Sequence, residues 1–433
     1  MRVVTLEQGQ EPGKSIIDRK VLFDPEVVST VAEIIQTVRE QGDRALIEYS
    51  RKFDGTIPRT FEVPEKEIQN AANAANQDVV KALQKAGQSI LDFHERQKRE
   101  GMLITRADGA LLGTKVTPLD SVGIYVPGGK AFYPSTVLMC ALPARVAGVR
   151  RIVMVTPPEK NGHINPALLA AAQIAGVTEV YAVGGAQAIA ALAYGTESIE
   201  PVDKIVGPGN AYVSAAKRAV SGDVGIDMIA GPSELAILAD DSSEPALLAL
   251  DLMAQAEHDP DAACYLITTE AELVEDVLEE IEAFLEDTPR KEITKEALDR
   301  NGIIFVAPDL ATALGAINAL APEHLEVHTA DPQDYLGLID NAGAIFLGTW
   351  SPSAVGDYAA GTNHTLPTSG TARFSSPLCV DDFTKFSNII SYSYSALKQD
   401  EETILVLAAA EGLWAHGKSV RARFELFEEE GEE

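Results

Sequence analysis

The chain has 433 residues, 46% of them hydrophobic, which is enough for roughly two to four domains with more than one core. Lys and Arg total 35 against 65 Asp and Glu, and the resulting net charge of −30 repels phosphate backbones and anionic lipid surfaces. Nucleic-acid and membrane-surface binding are therefore excluded as first hypotheses. No signal-peptide core and no window of about 18 uncharged apolar residues is found, which predicts a cytoplasmic protein.

The first hundred residues predict packed helices rather than a catalytic core. Asp24 is placed as an N-cap and Pro25 as the first helical residue of a segment whose apolar residues recur every three or four positions. A second segment with the same period runs from PEKEIQ to FHERQKRE. His94 in this second segment is predicted to lie on the surface.

From about residue 121 the pattern changes to short β-branched runs, each followed by a Gly or Pro turn and an Ala-rich helix. The successive units are VGIYVPGG with PSTVLMCALPARVAG, RIVMVTPP with NPALLAAAQIAG, TEVYAVGG with AQAIAALAYG, and DKIVGPGN with AYVSAAKRAVSG. Strands that alternate with helices at this spacing predict a parallel sheet covered on both faces.

A second α/β domain is predicted from the segments that follow, and it is built from residues on both sides of the first. The loop GTWSPSAVGDYAAGTNHTLPTSGTARFSSP, residues 348–377, is rich in Gly, Ser, Thr and Pro. Because long ordered loops in compact proteins are usually functional, this loop is a candidate part of a site. A further helical run follows SYSYSALKQD.

The turns PGG, PP, GG and GPGN all follow predicted parallel strands, where open α/β sheets place ligand crevices beside helix N-termini. GPGNAY lacks the third glycine of the dinucleotide fingerprint, and any one of these turns is also explained by the backbone needs of a tight turn. Four such turns in succession favour a crevice of nucleotide size.

The stretch DLMAQAEHDPDA brings Gln255 and His258 three residues apart, so on a helix both face a common ion. Pro260 disfavours helical geometry at the preceding residue, which places His258 in the last turn. The carbonyl groups of a last turn favour a cation. A histidine at a helix end is more often structural, and locally that alternative stays open.

The segment PEHLEVHT offers Glu323 and His324 as two neighbouring bases, which suits a reaction with two proton transfers. As a strand it places His324, Glu326 and His328 on one face. Catalytic and structural interpretations of this segment are both open on local grounds.

Three further residues are candidates whose local context is equally well explained by an ordinary turn or surface role. Asp357 offers a hard oxygen ligand in the loop SAVGDYAAG. Glu411 and His416 are five residues apart, roughly 140° around an ideal helix, so one helix face cannot present both equally.

The motifs together resemble the histidinol dehydrogenase family. They are YVPGGKAFYPSTVLM, GGAQAIAALAYGT, GPGNAYV, DMIAGPSELAILAD, LMAQAEHDP, APEHLEVHT, SAVGDYAAGTNHTLPTSGTARFSSPL and AEGLWAHGKSVR, in this order over nearly the whole chain. The resemblance implies the oxidation of L-histidinol to L-histidine in two NAD-dependent steps through a held aldehyde. It also implies one zinc ion per subunit and a domain-swapped homodimer whose sites use residues of both subunits.

Carried over motif by motif, the resemblance implies these roles. The zinc ligands are Gln255, His258, Asp357 and His416, and the proton-transfer residues are Glu323 and His324. NAD contacts are Tyr125, Gln187 and Asn210. Substrate contacts are Ser233, Gln255, His258, His324, Asp357, Glu411 and His416. No cysteine is required, which agrees with the isolated, apolar settings of Cys140, Cys264 and Cys379.

The predicted fold class is α/β, with two Rossmann-like doubly wound domains, a helical N-terminal segment and a small C-terminal tail. The predicted boundaries are an N-terminal arm (1–20), a discontinuous zinc and substrate domain (21–120 with 235–378), an NAD-binding domain (121–234) and a tail reaching the partner (379–433). The rival hypotheses are a zinc and NAD alcohol dehydrogenase acting on another polar alcohol, such as a sulfonated diol, and a nucleotide-binding regulatory protein without catalysis.

Overall fold

The computed structural model describes residues 1–17, 23–128 and 132–429. Two compact units are formed: unit 1 is Met1–Lys98 with Leu119–Phe383, and unit 2 is Arg99–Pro118 with Thr384–Glu433. The ends of the predicted arm (1–20) and tail (379–433), and Gly129 of the predicted turn PGG, lie outside the described residues. Among the helices of the described ranges, none has the length and apolar character that crossing a membrane requires.

The helices in chain order are α1 (Lys14–Ile17), α2 (Pro25–Gln41), α3 (Asp43–Tyr49), α4 (Glu65–Ala74), α5 (Gln77–His94), α6 (Pro134–Ala147), α7 (Pro166–Ala175), α8 (Gly185–Tyr194), α9 (Ala211–Val220), α10 (Pro245–Ala256), α11 (Leu273–Leu285), α12 (Lys291–Asn301), α13 (Leu310–Leu320), α14 (Ser353–Tyr358), α15 (Tyr394–Ala410) and α16 (Trp414–Glu429). As predicted, Asp24 caps α2, because its side chain accepts a hydrogen bond from the Glu26 N–H.

The strands in chain order are β1 (Arg2–Thr5), β2 (Met102–Thr105), β3 (Leu111–Pro118), β4 (Ser121–Tyr125), β5 (Arg151–Thr156), β6 (Glu179–Ala182), β7 (Lys204–Val206), β8 (Gly225–Ile226), β9 (Glu234–Ala239), β10 (Ala263–Thr268), β11 (Ile303–Val306), β12 (His324–His328), β13 (Ala344–Leu347) and β14 (Thr384–Ser391). The prediction of an α/β fold with parallel sheets is confirmed.

The first parallel sheet of unit 1 has the order β6-β5-β4-β7-β8 and forms from the repeating units seen in the sequence. Alternate residues of its strands point to opposite faces, so Val122 and Ile124 enter one hydrophobic cluster while Tyr125 enters another. Helices α6 and α7 cover the first face, with α4 and α5 packed on them, and α2, α8 and α9 cover the second. The sheet is therefore buried on both faces.

The second parallel sheet of unit 1 has the order β1-β11-β10-β9-β12-β13. Its edge strand β1 was not predicted from the sequence, because a four-residue strand is recognisable only through its pairing with β11. One face packs on α10, α11 and α12, and the other on α13. The predicted domain boundaries stay a prediction. Helices α2 to α5, which the prediction grouped with the zinc and substrate domain, pack around the first sheet.

Unit 2 contains an antiparallel sheet, β14-β3-β2, and the helix pair α15 and α16. The two helices are separate because α15 ends before Gly412, which has φ +71° and donates a hydrogen bond to the Ala409 carbonyl, while the Leu413 N–H donates to the Ala408 carbonyl. Glu411 and His416 thus lie on either side of a turn instead of on one helix. Their poor alignment on an ideal helix is explained by this break.

Candidate active site

The candidate active site forms at the amino-terminal edge of the second parallel sheet. Strands β9 and β12 are parallel neighbours that begin at the same edge, and Ser233 and Glu323 stand just before them. Helix α10 returns from the far edge of the sheet to this one, so Gln255 in its last turn arrives there as well. The Gly-rich turns of the first sheet, in contrast, follow the carboxyl ends of their strands.

Glu323 and His324 are held by the backbone of Glu234, the first residue of β9. The Glu323 carboxylate accepts a hydrogen bond from the Glu234 N–H at 2.8 Å. The Nδ1 atom of His324 lies 3.0 Å from the Glu234 carbonyl oxygen. Because a carbonyl can only accept, Nδ1 carries the proton of the neutral ring, and Nε2 keeps its lone pair.

Burial shifts both groups toward their neutral forms. Desolvation raises the pKa of the Glu323 carboxyl well above its usual range, with Glu234 and Asp357 adding to the rise through their charges. Desolvation lowers the pKa of the His324 imidazole, against the opposing effect of the Asp357 carboxylate. The His324 ring also stacks on Phe346, with ring centroids 6.0 Å apart. A neutral imidazole beside a carboxyl group of high pKa is suited to proton transfer.

Helix α14 brings Asp357 to this group, and the residues after it add His364. The Nδ1 atom of His364 lies 3.8 Å from the Asp357 carboxylate, and its Nε2 lies 3.4 Å from the hydroxyl of Thr136. Asp357 and His258 both act electrostatically on His324 and His364, which places the four side chains in one neighbourhood. His364 was not among the site residues predicted from the sequence.

The donor types in this neighbourhood fit a zinc ion. Gln255 offers an amide oxygen, His258 an imidazole and Asp357 a carboxylate, a set that zinc accepts. Gln255 is only 4% exposed, and within the described ranges its amide nitrogen, which is a donor and not a metal ligand, has no hydrogen-bond partner. His258 lies just beyond α10, which ends at Ala256, and not in its last turn as predicted; the His258 N–H bonds to the Gln255 carbonyl.

Two of the candidate site residues, the substrate contact Glu411 and the zinc ligand His416, lie elsewhere in the chain. Both belong to unit 2, where they are exposed. Ser233 is half-buried at the start of β9.

The three candidate NAD contacts lie at the carboxyl edge of the first sheet. The Tyr125 hydroxyl, at the end of β4, accepts a hydrogen bond from the Gly185 N–H at 3.1 Å, and burial raises the pKa of Tyr125 to about 12. Gln187 in the first turn of α8 is 1% exposed, and neither polar atom of its amide has a partner among the residues described. Asn210 caps α9 and is exposed, and its side-chain oxygen accepts from the Tyr212 and Val213 N–H groups.

A buried ion pair supports this turn. Lys217 contacts Asp227, and both side chains are almost fully buried. Lys217 also donates to the Gly207 carbonyl at 2.9 Å, while Asp227 accepts from the Gly207 N–H at 2.8 Å. Gly207 has φ +107° and opens the turn, so the pair fixes the backbone of GPGN from behind.

The residues that follow Asp357 are fixed by contacts the sequence did not reveal. His94 is fully buried, contrary to the surface position predicted for it, and its Nε2 lies 3.4 Å from the Asn363 amide nitrogen. Burial lowers the pKa of His94 to about 4. Asn363 also donates to the Met139 carbonyl at 2.7 Å. These contacts fix the segment that carries His364.

Comparisons with known proteins agree with this arrangement. A family model described as histidinol dehydrogenase matches residues 17–424. The histidinol dehydrogenase of Bacillus cereus (strain ATCC 14579) is 52% identical over 404 residues, 93% of this chain and 94% of the relative. That of Clostridium acetobutylicum is 50% identical over 416 residues, 96% of each chain. The crystal structure of histidinol dehydrogenase from Elizabethkingia anophelis superposes with a TM-score of 0.93 at 36% identity, covering 99% of both chains. The residues matched by the family model include every candidate site residue.

Proposed function

Because this chain belongs to the histidinol dehydrogenase family, an oxidoreductase family, we propose that it oxidises L-histidinol to L-histidine in two NAD-dependent steps. L-Histidinaldehyde stays bound between the steps, and one zinc ion is held per subunit. These are the closing steps of histidine biosynthesis, and the cytoplasm is the proposed location.

The observation that carries the proposal is the pairing of His324 and Glu323 on the backbone of Glu234. In the first step Nε2 of neutral His324 takes the proton of the substrate hydroxyl, while the carbon loses a hydride. The lowered pKa of His324 keeps that nitrogen available as a base.

In the second step the Glu323 carboxylate takes a proton from a water molecule, whose oxygen adds to the aldehyde carbon. The hydrated aldehyde then loses a second hydride and yields the carboxylate. A carboxyl group with a raised pKa is a stronger base than an exposed one, which suits this role. NAD, when bound, would supply the hydride acceptor, one molecule for each step.

Zinc would be held by Gln255, His258 and Asp357 of one subunit and by His416 of the other. Two imidazoles, one carboxylate and a neutral amide leave the ion with net positive charge and open positions. When bound, zinc would act as a Lewis acid that orients an amino alcohol through its nitrogen. Ser233, Glu411 and His324 are the proposed further substrate contacts.

NAD is proposed to lie at the carboxyl edge of the first sheet, against Tyr125, Gln187 and Asn210. Strands β4 and β7 are neighbours in the first sheet. The chain continues from β4 to β5 on one side and from β7 to β8 on the other, and such a reversal of strand order supports a ligand crevice between β4 and β7. The Rossmann-like description of this domain rests on the same reversal. The buried amide of Gln187, with its two polar atoms unpartnered within the described chain, supports a polar ligand there.

A homodimer completes the proposal, with Glu411 and His416 of one copy serving the site of another. The support is the exposed apolar surface of unit 2, where Trp414 is 78% exposed, Leu426 63% and Ile390 71%. Large exposed apolar side chains in one unit are typical of an interface.

The test is product analysis with the purified protein, NAD and L-histidinol or a sulfonated diol. The proposal expects L-histidine from L-histidinol, loss of turnover on treatment with a chelator and recovery with added zinc. Turnover of the diol in preference to histidinol would favour the related alcohol dehydrogenase, and no reduction of NAD would favour a non-catalytic binding protein.

A further inference from the structure

A second buried polar cluster lies next to the candidate site and has no part in the mechanism above. It consists of Asp251 on α10 with Glu326 and His328 on β12. Nε2 of His328 lies 3.2 Å from the Glu326 carboxylate and 3.6 Å from the Asp251 carboxylate. Glu326 is completely buried and His328 is 3% exposed. Burying two carboxyl groups and an imidazole costs free energy, so the cluster calls for a physical explanation.

Glu326 reaches the helix that carries Asp357. One oxygen of its carboxylate accepts a hydrogen bond of 2.6 Å from the Ser353 N–H, at the first residue of α14. The residue before, Pro352, has no side chain able to cap the helix, so Glu326 supplies the cap from another element. A helix of six residues has little stability of its own, and Asp357 lies one turn beyond this anchor.

The same cluster reaches the helix that carries Gln255. Asp251 and Glu326 both approach Nε2 of His328, and one ligand atom of each of the three side chains lies within 4.8 Å of the others. Burial together with the Glu326 charge raises the pKa of Asp251 to about 7, which favours sharing of a proton between the two carboxyl groups. On α10, Asp251 stands four residues before Gln255 and therefore on the same face. Glu326 itself lies two residues after His324 on one face of β12.

The cluster thus joins three elements, and each of them carries one residue of the candidate site. We propose that Glu326 is a positioning residue, which sets the placement of Asp357 through the start of α14 and that of Gln255 through Asp251. This inference rests on the proposed function, because it concerns how the zinc ligands are placed.

The test compares two variants that weaken the anchor in different ways. Glu326→Gln keeps the size of the side chain and an oxygen that can accept from the Ser353 N–H, but it replaces a charge-assisted hydrogen bond by a weaker neutral one. Ser353→Pro removes the N–H donor together with the serine hydroxyl and displaces the Glu326 carboxylate from the helix start, at a first helical position where proline is favoured. Pro352 has ψ 155°, the extended conformation that a following proline requires.

The matched control is Ser243→Ala. The Ser243 hydroxyl donates to the His328 carbonyl at 2.6 Å, at the carboxyl end of β12. In the described structure Ser243 has no hydrogen bond to α14. Each of the three variants removes or weakens a hydrogen bond made by a residue of β12. Only Glu326→Gln and Ser353→Pro affect the bond that anchors α14; Ser243→Ala does not.

The readouts are zinc affinity, measured by competition with a chromophoric chelator, the visible spectrum of the cobalt-substituted protein, and kcat and KM for histidinol. Both anchor variants are expected to bind zinc about 10- to 100-fold more weakly and to change the cobalt spectrum, while the control stays within about twofold of the wild type. Two variants of different chemistry keep the test decisive if one fails to fold.

Anchor variants that lose thermal stability but keep the wild-type zinc affinity and cobalt spectrum would overturn the inference alone. Two zinc ions per wild-type chain, falling to one in Glu326→Gln, would also overturn it and make the cluster itself a metal site. A wild-type protein that neither binds zinc nor oxidises histidinol would overturn the proposed function and the inference with it.

Discussion

Glu323→Gln separates the two oxidation steps. The Glu323 carboxylate accepts the Glu234 N–H at 2.8 Å, and a glutamine oxygen can accept the same hydrogen bond, so the local backbone is retained. The variant also removes a buried acid whose ionisation is unfavourable, and its thermal stability is therefore expected to equal or exceed that of the wild type.

The size of the expected rate loss is set by the function that the glutamine amide lacks. A glutamine cannot take a proton from water, and loss of a general base costs about 10²- to 10⁴-fold in rate. Aldehyde oxidation should slow by that factor. Alcohol oxidation depends on Nε2 of His324, whereas the Glu323 carboxylate approaches the other ring nitrogen, Nδ1, at 3.7 Å, so this step should change by less than about tenfold.

The assay follows NADH absorbance after rapid mixing, once with L-histidinol and once with L-histidinaldehyde. Glu323→Gln should release about one NADH per histidinol in the fast phase and then nearly stop. Equal slowing of the two half-reactions would refute the assignment of the second base.

The pH dependence gives an independent check on the same residue. The ionised carboxylate is the active form, and its pKa is raised, so wild-type aldehyde oxidation should fall as the pH drops through that raised pKa. In Glu323→Gln this limb of the pH profile should be missing. If Glu323→Gln kept the wild-type fall in rate at low pH, that fall would be due to the titration of another group.

Three further substitutions test the surroundings. In Gly356→Ala the new Cβ would lie 2.7 Å from the Phe346 ring, which stacks on His324, so kcat should fall about tenfold in steady-state assays with little change in melting temperature. An unchanged kcat would show that the ring does not position the base. Gln187→Leu removes a buried amide without partners in the described chain, so urea denaturation should show about 1 kcal/mol of added stability while the KM for NAD rises; an unaltered KM would remove this residue from the NAD site. Lys217→Met leaves a buried carboxylate without its counter-charge and should cost about 3–5 kcal/mol in the same denaturation experiment, and a loss below about 1 kcal/mol would contradict the structural role of the pair.

The regular part of the fold was predictable because its signals are local. The Gly and Pro turns and the alternation of apolar runs identified four strands of the first sheet, β4 to β7, but not the two-residue β8, and the cap at Asp24 identified the start of α2. The strand PEHLEVHT was also predicted to place His324, Glu326 and His328 on one face, and the contact between the last two agrees with it.

Other features depend on contacts between distant segments and could not be predicted. The burial of His94 depends on Asn363, which lies 269 residues away in the sequence. His364 joins the site only because the chain after α14 folds back toward it. The break between Glu411 and His416 was accessible in principle, since Gly412 is a typical helix terminator.

The most direct test of the central claim is the NADH yield from limiting L-histidinol with excess NAD, measured with and without a chelator. The proposed function predicts two NADH per histidinol, abolished by removal of the metal and restored by zinc. One NADH per histidinol, or a yield that is indifferent to metal removal, would contradict it.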